Sequence, residues 1–168
     1  MENLYKELRS FFANDIDVND LFDSEAIIWI DWREDDEDVV NYFNDMMDEP
    51  IDIQTVSNGK PYGDDIVLKN GNKELQIPYG DEQDRDVTIK YFNDFVKPDY
   101  EVRWFAESLG NDTLGFTVLS GAEWANLEDE FGADTVRYYF EPINLESNMF
   151  NLDMDEVSAL LELRENNR

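Results

Sequence analysis

The chain has 168 residues, with 41 Asp and Glu against 13 Lys and Arg, and its formal net charge is −28 at pH 7. This length suits one domain with its own core, and the 42% of hydrophobic residues, interleaved with the acids, exclude a disordered chain. So large a negative charge disfavours direct binding to nucleic acid or to anionic membranes, and it predicts basic partners.

Two residue types are absent, because the sequence contains no cysteine and no histidine. Disulfides, thiolate chemistry and a histidine general base are therefore excluded, together with the commonest protein metal ligand. The first segment, MENLYKELRSFF, lacks the basic and apolar parts of a leader, and no apolar run reaches membrane-spanning length. We expect a cytoplasmic, bacterial-type protein without a bound cofactor or metal.

The first part of the chain predicts two amphipathic helices with one strand between them. Apolar residues at helical spacing predict a helix over 2–13, and a linker or single turn follows around DIDVNDLFD. The segment AIIWID, rich in branched and aromatic residues, predicts a central buried strand. From about Asp35 to Asp48 a second apolar stripe predicts a helix, which Pro50 ends.

The middle of the chain predicts strands joined by turns. The segments IDIQTV, DDIVLK and KELQIP are typical of three short strands, and Asn70-Gly71 predicts a type I′ hairpin turn between the last two. A helix is then predicted over 81–97, with Asp81 as its N-cap. YEVRWFAES and DTLGFTVLS predict two antiparallel strands around a turn at Gly110-Asn111.

The last part of the chain predicts helices. Ser120 and Glu123 have the spacing of a capping box, and Gly132 stands where a helix C-cap belongs. Residues 133–141 are compatible with a helix or a strand, and we favour a short helix that runs toward Pro142. The final helix is predicted from Asp153 to about Arg164, with one apolar stripe formed by Met154, Val157, Leu160 and Leu161.

This order of elements predicts a single α+β domain over residues 1–168. We expect a mixed, mostly antiparallel sheet of about five to six strands with helices packed on it. Residues 25–142 form the predicted core, residues 1–24 an N-terminal helical segment, and residues 143–168 a linker with the C-terminal helix.

The densest acidic cluster follows the predicted strand, in the stretch IWIDWREDDED at 28–38. Paired carboxylates can bind Mg²⁺ or act as general acid and base. Acids at the start of a helix, however, point outward and are favoured there by the helix dipole. We therefore favour the interpretation that this cluster has a structural role at the helix start. No nucleophile elbow, phosphate-binding loop or complete calcium loop is present, which leaves a carboxylate-only hydrolase as an open alternative.

The four tryptophans divide into two groups. Trp29, Trp104 and Trp124 lie in predicted strands or on the inner face of a helix, which favours the core. Trp32 stands at the exit of the strand beside Arg33 and the acids, where it is either a lid over the edge of the core or an anchor for a partner.

Two stretches carry a resemblance to known proteins: IIWIDWREDDEDVV, and KPDYEVRWFAESLGNDTLGFTVLSGAEWANLEDEFG. Together they resemble an uncharacterised family of small acidic bacterial proteins, a domain of unknown function. In that family a strand with a Trp-acid step precedes an acidic helix, and a PDYE strand and a SDTLGF strand lead to a helix with a Trp. The matching features here are Pro98 to Glu101, the variant GNDTLGF, and Trp124. The likeness covers residues 25–142 and implies one intracellular domain without site residues.

The same features are similar, by analogy of class only, to those of immunity proteins that neutralise toxins. We therefore expect a non-enzymatic binding protein that captures a basic protein partner, with a nucleic-acid mimic that blocks a DNA-binding enzyme as the alternative. The candidate contact residues are Trp32, Arg33, Glu34, Asp35, Asp36, Glu37 and Asp38.

Overall fold

The structure is a computed structural model that describes residues 2–31, 33–57, 59, 64–79, 84–109, 111 and 113–166. Within these residues the chain forms helices α1 Glu2–Phe12, α2 Val18–Phe22, α3 Asp36–Met46, α4 Arg85–Val96, α5 Gly121–Phe131, α6 Ala133–Tyr139 and α7 Met154–Asn166. The strands are β1 Ile28–Asp31, β2 Asp52–Ser57, β3 Asp64–Asn70, β4 Lys73–Gln76, β5 Tyr100–Phe105, β6 Thr113–Ser120 and β7 Phe140–Pro142. The predicted α+β class is confirmed.

The strands are divided between two antiparallel sheets. The first sheet has the order β1-β6-β5-β7, and the second has the order β2-β3-β4. Along the chain α3 and α4 lie on either side of the second group of strands, and in the described residues the β2–β4 meander pairs within itself.

The strand β1 differs from its prediction, because it forms an edge of the first sheet and not its centre. Its apolar sequence is explained by what covers the sheet. Apolar clusters pack on both faces, so even an edge strand needs apolar side chains in both directions. The central strands are β5 and β6, whose residues are the most continuously buried in the sheet.

Two cores lie on opposite faces of the first sheet. The first core contains Ile30, Trp104 and Phe116 from the sheet, and it extends to α3, α4 and the second sheet. The second core contains Phe105 and Phe140, and it extends to α1, α2, α5 and α6. Successive residues of a strand point to opposite faces, which is why neighbours such as Trp104 and Phe105 belong to different cores.

The buried tryptophans occupy these cores as predicted. Trp104 is buried in the first core and Trp124 in the second, and each indole N–H has an acceptor, Ser108 Oγ at 3.2 Å and the Glu101 carbonyl oxygen at 2.8 Å respectively. Trp29 is half-buried and stacks on Phe22 with ring centroids 5.4 Å apart.

Two turn and cap predictions need correction. The hairpin between β3 and β4 is confirmed, but its two-residue loop is Gly71 and Asn72, since Asn70 still pairs with Lys73. Positive φ occurs at Gly71, the first loop position, as in a type II′ turn and not the predicted type I′ turn. The N-cap of α4 is Asp84, whose carboxylate accepts the N–H of the residue at 86 at 2.9 Å. The residues predicted as N-cap and turn, Asp81 and Gly110, lie outside the described residues.

The C-terminal part confirms most helix boundaries. Ser120 and Glu123 form the predicted capping box of α5, and Gly132 ends this helix at φ 96°. Residues 133–141 contain both alternatives, a helix up to Tyr139 and then the short edge strand β7. The predicted apolar stripe of α7 is only partly buried, because Val157 packs on the first core while Met154, Leu160 and Leu161 stay exposed.

Candidate protein-binding surface

The predicted contact residues lie at the exit of β1 and in the first turn of α3. Trp32 lies outside the described residues, so its predicted role as an anchor remains a prediction. The neighbouring Arg33 is exposed and folds back on the end of the strand, where its Nη2 donates to Asp31 Oδ2 at 3.0 Å. This hydrogen bond from Arg33 lowers the pKa of the Asp31 carboxyl group. Arg33 is therefore exposed but already engaged with an acid of its own chain.

Asp36 does not belong to the exposed surface, contrary to the prediction. The residue is only 4% exposed, and its Oδ1 lies 3.8 Å from Arg85 Nε. Burial raises the pKa of the Asp36 carboxyl group, and the positive charge of Arg85 opposes that rise. Arg85 also donates to the carbonyl oxygen of Glu34. Removing one partner of a buried ion pair costs about 3–5 kcal/mol, so Asp36 ties α3 to α4 and is no contact residue.

A second group of buried polar contacts lies in the first turn of α4, near Asp36. Asp86 is buried, and its carboxylate accepts the backbone N–H groups of Met149, Phe150 and Asn151 at 3.1, 2.9 and 3.0 Å. Asn151 Nδ2 also donates to Asp84 at 3.0 Å. These acids could have suggested a catalytic cluster, but their oxygen atoms are occupied by the protein's own donors. They fix the linker before α7 onto α4.

The exposed residues of α3 and its N-terminal flank form one acidic surface together with the half-buried Glu34. We define the α3 acidic face as Glu34, Asp35, Glu37, Asp38, Tyr42 and Asp45. Asp35 is the N-cap residue, yet its side chain makes no capping hydrogen bond and stays exposed. Within the described chain no Lys or Arg is in ion-pair contact with the carboxylates of this face. Among the described residues, no ion pair therefore balances the negative charge of this face.

Tyr42 belongs to this face beside Glu34 and Asp38, and the sequence prediction missed it. The residue is 39% exposed, and its hydroxyl donates to Glu34 Oε2 at 3.2 Å. The negative charge of Glu34 is the main reason that the pKa of the Tyr42 phenol is raised, with smaller contributions from burial and from Asp38. Helical spacing could have found it, because position 42 is one turn after Asp38 and at the border of the buried stripe that contains Val39 and Phe43.

A second exposed feature is the C-terminal helix α7. Met154 is 83% exposed and Leu163 is 56% exposed, and Leu160 and Leu161 are also exposed. Arg164 holds the helix to the body: its Nη1 donates to the Tyr138 carbonyl oxygen and its Nη2 to Glu107 Oε1, both at 2.7 Å. Its guanidinium also stacks on the Tyr138 ring, 4.1 Å from the centroid. Thus α7 leaves apolar side chains in solvent, among the acids Asp155, Glu156, Glu162 and Glu165.

The arginines are committed to internal ion pairs. Each arginine in the described part of the chain pairs with at least one acid, as Arg9–Glu130, Arg33–Asp31, Arg85–Asp36, Arg103–Glu101 and Glu128, Arg137–Glu128 and Arg164–Glu107. The pair of Arg9 is bidentate, with 2.9 and 2.6 Å between its nitrogens and the Glu130 oxygens. The arginines therefore offer little positive charge to a partner.

Comparison with known proteins adds no identification, since no family model, no curated protein and no solved structure matches the chain. The resemblance to a family of small acidic bacterial proteins stays a prediction. Among the described residues, no acids are grouped so that they could hold a metal ion. In that same part of the chain, no helix combines the length and the apolar character needed to cross a membrane.

Proposed function

We propose that this chain is a non-enzymatic protein that captures a basic protein partner, in the manner of an immunity or inhibitor protein. The observation that carries the proposal is Tyr42, an exposed aromatic side chain on a helix, beside carboxylates that form no ion pair with any described residue. Aromatic residues supply binding energy at interfaces, and surrounding charges increase the association rate and select the partner. The α3 acidic face combines both.

The charge of the whole molecule supports the same proposal. At −28 the chain attracts cations over distances set by the ionic strength, with a screening length of about 8 Å at physiological salt. A nucleic-acid mimic would use the same charge, but a mimic needs carboxylates in the place of phosphates and gains little from an exposed phenol among them. Tyr42 therefore favours a protein partner over mimicry of nucleic acid.

The proposal is tested by capture from native cell extract at low and high salt, followed by affinity measurement with the purified partner. One variant neutralises the face by Asp35→Asn, Glu37→Gln and Asp38→Asn; Asp36 is left unchanged because it supports the fold. The matched control neutralises three exposed acids elsewhere, Glu25, Asp94 and Asp129. Both variants change the net charge equally.

We expect a partner rich in Lys and Arg that binds at low salt and is released at high salt. The α3 variant should weaken binding at least tenfold more than the control, and Tyr42→Ala should weaken it by about tenfold or more, as at other interface hot spots. If the two neutralised variants lose the same affinity, the partner responds only to the total charge of the protein, and the α3 acidic face is not the binding site. A partner without excess positive charge would reject the proposal itself.

A further inference from the structure

A cavity of about 210 Å³ lies between α7 and the end of the first sheet. Its walls are mainly apolar, formed by Trp104, Ala106, Leu109, Leu160 and Leu163. An apolar protein cavity of about 150 Å³ accepts a benzene molecule, so this space accommodates one aromatic or leucine side chain. It is smaller than the roughly 300–1,000 Å³ of typical sites for drug-sized ligands.

The position of the cavity follows from the edge of the sheet and from the anchor of α7. In the pairing of β5 with β7, Glu141 lies opposite Trp104, so both side chains are on the same face of the sheet. In the described part of the chain, no further strand pairs beyond β7. The bonds of Arg164 to Glu107 and Tyr138 then hold α7 across the space. Leu163 remains half in solvent at the rim.

The charges at the rim differ in whether they are paired. Arg137 is in an ion pair with Glu128 at 3.0 Å, and Arg164 is bound to Glu107. The carboxylate of Glu141 has neither a hydrogen bond nor an ion pair within the described residues. The residue as a whole is exposed, while partial burial of its carboxyl group raises the pKa and Arg164 opposes that rise. The charge that remains available at the rim is negative.

We propose that this cavity binds an apolar side chain, aromatic or leucine, of the basic partner protein, whose adjacent Lys or Arg pairs with Glu141. The proposal rests on the proposed function and names a second contact for the same partner. Charge complementarity selects this occupant: Glu141 and the acids of α7 attract a cationic segment, and two copies of a chain with net charge −28 repel each other.

The test uses the full chain and two small probes that share a phenyl ring, 2-phenylethylammonium and phenylacetate. Binding is followed by ¹H–¹⁵N NMR at the indole N–H of Trp104 and the amide of Ala106, which line the cavity. We expect saturable shifts with the ammonium and at least fivefold weaker binding of phenylacetate. Glu141→Gln should remove most of this preference, and Leu163→Gln should weaken binding about fivefold or more.

The matched control is Met154→Gln, an equally polar change at an exposed position of the same helix that does not line the cavity. It should bind the ammonium like the unchanged chain. Equal binding of the two probes would contradict the proposed preference for a positive charge. Chemical shifts of Trp104 that do not saturate with 2-phenylethylammonium would contradict the cavity as a binding site. A dimer that Leu163→Gln dissociates would assign this face to a second copy and also overturn the proposal.

The outcome is separable from that of the proposed function. The variant neutralised at Asp35, Glu37 and Asp38 should bind 2-phenylethylammonium as the unchanged chain does, because none of these residues lines the cavity. With a purified partner, a loss of affinity in that variant without any loss in Leu163→Gln would reject the cavity and retain the proposed function. If the unchanged chain captures no basic partner although the probe saturates at Trp104, the proposed function and the partner as occupant are rejected, while the preference of the cavity for a cationic aromatic group stands.

Discussion

The carboxylate of Asp86 should be one of the strongest single polar contributions to the stability of this fold. It is 1% exposed and accepts three backbone N–H groups from residues 149–151. In Asp86→Asn the remaining oxygen can still accept from Met149 and Asn151, which share Oδ2, but the new amide group then faces the N–H of Phe150. Two donors meet, and a buried N–H loses its acceptor.

The magnitude follows from these contacts. An unsatisfied buried polar group costs about 1–3 kcal/mol, and a hydrogen bond to a charged group contributes about 1.5–3 kcal/mol. We expect Asp86→Asn to lower the free energy of unfolding by about 3 kcal/mol. For a domain of this size the melting temperature should fall by roughly 6–12 °C.

The assay is urea unfolding followed by tryptophan fluorescence, with amide hydrogen exchange as a local readout. Exchange should accelerate at Met149, Phe150 and Asn151 before it does so in β5 and β6. The control is Asp94→Asn, the same chemical change at an exposed position of α4, which should alter stability by less than about 0.5 kcal/mol. If Asp86→Asn and Asp94→Asn are equally stable, this carboxylate does not hold the linker and the reasoning fails.

Two further predictions concern caps and exposed charge. Ser120→Ala removes the acceptor of the Glu123 N–H at 3.1 Å and should cost about 1 kcal/mol in urea unfolding, whereas the exposed Ser158→Ala should cost much less; equal effects would contradict the capping box. Arg33→Ala should raise the pKa of Asp31 toward its ordinary value of 3.8, measured by NMR titration of carboxyl groups. Because the fold lowers this pKa, the ion pair stabilises above pH 3.8 and is lost as the pH falls through the lowered value. An unchanged Asp31 pKa in Arg33→Ala would contradict that account.

Elements with local determinants could be predicted from the sequence. The boundaries of α5 depend on Ser120, Glu123 and Gly132, all within or next to the helix, and the structure confirms them. The β3–β4 hairpin depends on Gly71, where positive φ is required. The α4 cap was misplaced because Asp81 and Asp84 are both good N-cap residues in one polar run, and local sequence does not distinguish between them.

Features that depend on distant contacts could not be predicted. The apolar residues of β1 indicate that both of its faces are covered, but they do not show whether the strand lies at the edge or at the centre of the sheet. The amphipathic pattern of α7 likewise indicates that one face of this helix is able to pack against another element, but it does not show whether that face is buried in the fold. In the acidic cluster, Asp36 shares the buried stripe of α3 with Val39, Val40 and Phe43, which helical spacing could have shown, but its pairing with Arg85 on another helix could not be predicted. The sequence thus predicted the stretch of chain in which the candidate surface lies, and the structure showed which residues of that stretch are exposed.

Because the arginines form ion pairs inside the protein, the net charge of this molecule can be changed without changing its fold. Cations hold helices and strands together from within, as Arg103 does between Glu101 and Glu128, while the acids of α3 other than Asp36 form no ion pair with any residue that the structure describes. The net charge can therefore be reduced stepwise by neutralising exposed acids without disturbing the fold. A series of such variants would give proteins of one shape and graded charge, in which attraction at long range can be measured apart from contact at short range.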